Sequence, residues 1–137
     1  YKKVIGNLKK LQQRTQLDIL ASYRLGYAYR KTENCKAAIP PLKWVVDQAE
    51  SAKLWAQEVK TSEQSRLLLA RCYAVTGDAQ RAVVVLDSFL LNPKKYRKEL
   101  QAGLKHRDFG YISTVQEYRD WRKEAKRALN GGKSSPY

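Results

Sequence analysis

The chain contains no methionine, one histidine and two cysteines in 137 residues. So little imidazole and sulfur argues against a metal cage, and two cysteines without C-x-x-C spacing argue against a disulfide framework. Glycine and proline are scarce, at seven and four residues, which excludes a collagen-like fibre and a low-complexity linker. Acidic residues are also in short supply: 13 Asp and Glu stand against 27 Lys and Arg, for a net charge of +14. No apolar run approaches the roughly 18 residues of a membrane-spanning helix, so no transmembrane segment is expected. P-loop, G-x-G-x-x-G and H-E-x-x-H signatures are absent.

What is present is globular. At 43% hydrophobic and 29% charged residues, the composition excludes an intrinsically disordered chain. The length is that of one ordinary domain, able to bury roughly two-thirds of its unfolded surface without a disulfide or metal. The cation surplus favours a partner carrying negative charge: nucleic acid, an acidic protein or an anionic membrane face. The start at Tyr1 and the Gly131-Gly132-Lys133-Ser134-Ser135-Pro136-Tyr137 ending read as a trimmed or processed product, with 131–137 a flexible tail.

Helical periodicity runs through the chain. Val4, Ile5, Leu8 and Leu11 share one face of a first short helix over Lys2–Gln13, surrounded by Lys2, Lys3, Lys9, Lys10 and Arg14. Thr15 with Asp18 is expected to cap a second helix reaching Lys31, and Asn34 a third. Pro40-Pro41 should kink or restart that third helix. The apolar spacing of Val45, Ala49, Ala52, Ala56 and Val59 then extends it to about Lys60. Thr61 with Gln64 reads as a capping box opening a helix that ends near Gly77, and Asp78 caps the next, to about Leu91. Asn92-Pro93 opens a helix to about Lys105, Arg107–Ile112 is a connection, and Ser113 with Gln116 opens the last, to about Asn130. The reading is all-α, an antiparallel helix-hairpin array of about seven helices in a single domain over 1–130.

Two hairpins share a template. Leu25-Gly26-x-x-Tyr29 is followed by Ala38-x-x-x-Leu42, and Leu69-Ala70-x-x-Tyr73 by Ala82-x-x-x-Leu86, with Pro93 beyond. The step from the tyrosine to the alanine is the same in both, and Thr32 matches Thr76. Small residues stand where two helices must approach closely, and Tyr and Leu fill the space between. The pattern resembles the tetratricopeptide repeat, a helix–turn–helix with L-G-x-x-Y, then A-x-x-x-F and a closing Pro. The resemblance covers residues 17–93. Ser22 and Arg66 stand where the family has Trp, and Ala70 replaces the second Gly. Pro40-Pro41 is foreign to the pattern, and the spacing exceeds the family's roughly 34 residues, as an elongated second helix carrying Lys53 to Lys60 would explain. The alternative is an ordinary helical bundle with two chance matches. On the repeat reading the hairpins cover 17–60 and 61–93, a degenerate one covers 93–130, and the N-terminal helix caps the other end. Leu100, Leu104, Val115, Tyr118, Trp121, Ala125 and Leu129 provide the last hairpin's apolar face.

Catalysis finds no support. His106, in the basic tract Lys105-His106-Arg107-Asp108, reads as a surface or helix-end residue with no nucleophile marked beside it. Cys72 reads as a small buried hydrophobe and Cys35 as partly exposed, a pair of free thiols that favours a reducing intracellular compartment. No catalytic residue, metal site or cofactor is expected, and the chain reads as a non-enzyme.

Two binding surfaces compete instead. The resemblance implies a concave groove lined by the first helices of the repeats, with Tyr23, Tyr27, Arg30 and Lys31 from one hairpin and Gln64, Leu67 and Arg71 from the next. Rigid Tyr and bidentate Arg suit an acidic or C-terminal peptide. Tyr23 and Tyr27 stand where chaperone-binding members of the family clamp a terminal carboxylate with Lys and Asn, which argues against chaperone tails as the partner. Alternatively, these tyrosines are core residues under the N-terminal helix. The second surface is basic: Lys94, Lys95, Arg97 and Lys98, with Arg119, Arg122, Lys123, Lys126 and Arg127 largely on one face of the last helix. Interleaved Tyr96, Tyr111, Tyr118 and Trp121 suit base stacking. The leading expectation is an adaptor, scaffold or assembly factor binding a protein partner in the groove. Its rival is a helical repeat domain that binds RNA or DNA, or docks on an anionic membrane surface, through the C-terminal helices.

Overall fold

The computed structural model describes residues 1–51 and 54–131. Among these residues every regular element is helical: α1 Lys2–Gln12, α2 Ile19–Lys31, α3 Cys35–Ser51, α4 Ala56–Val75, α5 Ala79–Asp87, α6 Arg97–Lys105 and α7 Gln116–Leu129. Short 3-10 segments at Ser88–Leu91 and Arg107–Ile112 come in addition, the second replacing the irregular connection expected there. The all-α reading therefore holds. Of the tail assigned to 131–137, only Gly131 lies within the described residues. Two compact units divide the chain, residues 1–72 and 73–137, with the boundary inside α4.

In the first unit α2 and α3 form a hairpin around Leu25, Ala28, Ala38, Leu42 and Val45, each at most 2% exposed. A Cβ built on Gly26 would stand 2.5 Å from Leu42 Cγ, so only glycine permits this approach. Helix α3 runs across Pro40-Pro41 as one continuous helix, so of the kink or restart expected there the restart does not occur. The carbonyls those ring nitrogens cannot serve belong to Lys36 and Ala37, which are exposed and half-buried, so water can reach them. Asn34 caps α3 as expected, its Oδ1 accepting from Ala37 N–H at 3.2 Å.

Several other helix starts need correction. Asp18, not Thr15, caps α2, its Oδ1 accepting from Ala21 N–H at 2.7 Å. The third helix ends at Ser51 rather than Lys60, and the next begins at Ala56. The expected continuation through Ala52 and Lys53 lies outside the described residues. Trp55 is the cap of α4: its N–H donates to Glu58 Oε1 at 3.1 Å and its carbonyl accepts from Val59 N–H at 3.0 Å. That is the return half of a capping box. Thr61 lies inside the helix, its hydroxyl donating to Gln57 O at 3.0 Å. Ser113 likewise does not cap α7. Its hydroxyl donates to Gly110 O at 3.0 Å, and Val115 takes the cap position.

The cysteines also depart from expectation. Cys35 at the start of α3 and Cys72 in α4 form a disulfide, with Cα atoms 4.9 Å apart. Both are buried, at 5% and 0% exposure. The pairing removes the ground on which a reducing compartment was favoured.

The repeat recurs in the backbone. In each copy Thr Oγ1 (Thr32, Thr76) donates to the tyrosine carbonyl (Tyr29, Tyr73) at 3.0 Å. The following residue takes a positive φ, 61° at Glu33 and 82° at Gly77. The next N–H (Asn34, Asp78) returns to the same tyrosine carbonyl at 2.8 Å, and its side chain caps the helix that follows.

In the second unit α7 packs against both α5 and α6. Leu86, Phe89, Leu100, Phe109, Ile112, Tyr118, Trp121 and Ala125 are almost wholly buried. The Tyr118 ring is stacked with Phe109 and Trp121 at centroid distances of 5.9 and 6.0 Å. Its hydroxyl donates to Gly103 O at 2.6 Å, serving a carbonyl in the last turn of α6. Helix α6 begins at Arg97 rather than Pro93. Residues 93–96 form a turn, and Asn92 Oδ1 accepts from Lys95 N–H at 3.3 Å.

The two turns predict opposite responses. A left-handed residue other than glycine costs about 1–2 kcal/mol, so Glu33→Gly raises the unfolding free energy while Gly77→Ala lowers it, each by about 1 kcal/mol, read as opposite shifts of the urea midpoint. Reducing the Cys35–Cys72 bond, which spans a separation of 37 residues, lowers unfolding stability by about 3–4 kcal/mol. Urea titrations with and without reductant measure it.

Candidate partner-binding face

All seven residues expected to line a groove fall in the first unit, on α2 and α4. Tyr23, Tyr27, Arg30, Leu67 and Arg71 are half-buried, and Lys31 and Gln64 are exposed. Successive turns of α2 place the Tyr23 and Tyr27 rings 6.0 Å apart, and Lys31 Nζ lies 5.4 Å from the Tyr27 ring centre. Burial raises the Tyr23 phenol above the ordinary tyrosine value, Tyr27 adds to the rise and the Arg71 guanidinium opposes it. Arg71 of α4 is therefore close enough to Tyr23 of α2 for its charge to be felt.

Tyr1 completes the cluster, its ring meeting Tyr27 edge-on at 5.9 Å. Sequence reasoning did not assign Tyr1 to the site. The only available signal was an aromatic residue opening an otherwise basic amphipathic helix. Helix α1 rests against α2 without burying any residue of its own, and leaves Val4 41% and Leu11 45% exposed. The tyrosines are thus neither fully open nor sealed into a core.

The electrostatics of this face are one-sided. Helices α1 and α2 and the 64–72 stretch of α4 carry Lys2, Lys3, Lys9, Lys10, Arg24, Arg30, Lys31, Arg66 and Arg71, and not one Asp or Glu. A cavity of about 260 Å³ in this unit is lined by Asp18, Ile19, Leu20, Trp55, Gln57, Glu58 and Thr61, and one of about 460 Å³ in the second unit by Thr76–Gln80, Val115 and Glu117. Neither includes a predicted groove residue.

The basic residues of the second unit divide by burial. Lys94, Lys95, Arg97, Lys98, Arg119, Lys123, Lys126 and Arg127 are exposed, while Arg122 is half-buried over the Tyr118 ring. The expected stacking rings are mostly not available: Tyr118 and Trp121 are 1% and 2% exposed, Tyr96 is half-buried against Phe89, and only Tyr111 is open. Helical spacing explains this, since the positions that interleave with cations along the sequence form the opposite, core-facing stripe of α7. His106 closes α6, its Nδ1 accepting from Asp108 N–H at 3.1 Å, as a helix-end residue would.

No group of three or more potential metal ligands occurs among the described residues, and no helix among them is long and apolar enough to cross a membrane. Among known proteins, no family model, curated protein or solved structure matches the chain.

The Tyr23–Arg71 coupling has a measurable sign. Arg71 favours the phenolate, so Arg71→Gln raises the Tyr23 titration further, as read by ultraviolet absorbance or ring NMR shifts against a Tyr23→Phe control. Because the folded state holds this proton more tightly, the associated stability is present below the unfolded tyrosine value of about 10 and is lost as pH rises beyond it.

Proposed function

We propose that the chain is a noncatalytic interaction module, a tetratricopeptide-like array of α-hairpins that docks an acidic segment of a protein partner on the face formed by α2 and the 64–72 stretch of α4. The observation that carries this reading is a half-buried tyrosine pair on α2, a helix that bears cations and no acid, with Arg71 of α4 close to it. Tyrosine presents rigid amphipathic area at low entropic cost, and such rings beside arginine are typical binding hot spots. A surround in which cations outnumber acids steers an anionic segment towards them and disfavours a basic one. The helix-ending turn, cap and buried positions that recur in register support the repeat part of the proposal.

A fluorescent peptide of alternating Glu and Leu tests the face. Tyr27→Ala with Arg71→Ala weakens its binding by about tenfold or more, corresponding to about 1.4 kcal/mol or more, while far-ultraviolet circular dichroism keeps its helical signal. Unchanged affinity in a folded double variant would remove the assignment.

A further inference from the structure

The remaining charge collects in the second unit, at one end of α7. Arg97, which opens α6, donates through Nη1 to the carbonyl of Leu129 at 3.2 Å. That carbonyl lies in the final turn of α7, where backbone acceptors lack partners within the helix. The bond sets the run Lys94–Lys98 beside the turn that carries Lys126 and Arg127, so clusters some thirty residues apart in sequence meet.

The chemistry of the patch selects its partner. Within 94–98 and 119–127 every exposed side chain is charged. Asp120 and Glu124 are the exposed acids there, against nine Lys and Arg in the two segments. Asp120 accepts from Gln116 Nε2 at 2.6 Å, and Glu124 lies near enough to Asp87 to disfavour its ionisation. Protein interfaces draw their affinity from desolvated aromatic or apolar anchors, and proteins that hold single strands stack bases on open rings. These two segments expose neither: Tyr118 and Trp121 are core, and Tyr96 packs on Phe89. Leu91, Val84 and Tyr111, 87%, 68% and 69% exposed, stand outside these two segments. Cations in such excess, with no open ring or apolar anchor in these segments, suit a regular array of phosphates engaged from outside, without base readout.

We infer that the Arg97–Leu129 junction builds a surface for the phosphate backbone of double-stranded nucleic acid, bound without sequence preference and independently of the tyrosine face in the first unit. Lys126, Arg127, Lys94 and Lys98 supply the phosphate contacts, and Arg97 holds the two clusters together.

The test measures binding of a fluorescent duplex by the whole chain across salt concentrations. With four phosphates engaged, the log–log slope is about −3.6 and affinity falls roughly a hundredfold between about 50 and 200 mM salt. Lys126→Gln with Arg127→Gln lowers the log–log salt slope by about two. The charge-preserving pair Lys126→Arg with Arg127→Lys leaves the slope and affinity in place, which separates charge from helix folding. Lys9→Gln with Lys10→Gln, the same charge change on α1, leaves the slope unaltered. Four outcomes overturn the inference: a flat salt response, equal loss in the α1 variant, equal or tighter binding of the single strand, or capture by anionic vesicles with none by the duplex.

Discussion

Close approach of helices at a few side-chain-free positions is the constraint on which the rest of the structure depends. Gly26 lets α2 settle against Leu42 of α3, and Gly103 lets α6 settle against Trp121 of α7, each where an added Cβ would sit 2.5 Å from the neighbouring side chain. Interiors packed this closely have little room to absorb even one extra methyl group. Each helix then buries a narrow stripe, and the wide remainder must be polar. In a chain with twice as many cations as acids, that remainder is basic. The two faces proposed for binding lie where cations outnumber acids.

Sequence reasoning could recover what local chemistry determines. Asn34 and Asp78 were legible because an Asx residue ahead of a helix has few better uses than capping it. The buried Leu, Ala and Gly positions were legible because their spacing repeats. Thr15, Thr61 and Ser113 misled because a hydroxyl is equally satisfied by a carbonyl three or four residues back, as Thr61 and Ser113 are. Nothing local marks Trp55 as a cap, since there Glu58 supplies the side-chain hydrogen bond.

Long-range pairings were beyond the same reasoning. Cys35 and Cys72 lie far apart in sequence, and only the packing of α3 and α4 brings their Cα atoms within 4.9 Å. The contact of Tyr1 with Tyr27 and the bond from Arg97 to Leu129 are of this kind too, and each reshapes a site. Interleaved aromatics and cations looked like one mixed surface in α7 when they are two opposite faces. The two basic regions consequently differ in kind: the first keeps half-buried tyrosines among its cations, and the second exposes charge alone.

The central claim is that the first of these surfaces is where a protein partner docks. Mapping amide and tyrosine ring NMR shifts during titration with an acidic peptide tests it most directly. The account predicts perturbations concentrated at Tyr23, Tyr27, Lys31 and Arg71, with α5, α6 and α7 unmoved. Perturbations confined to α6 and α7, or spread evenly over every exposed cation, would contradict it.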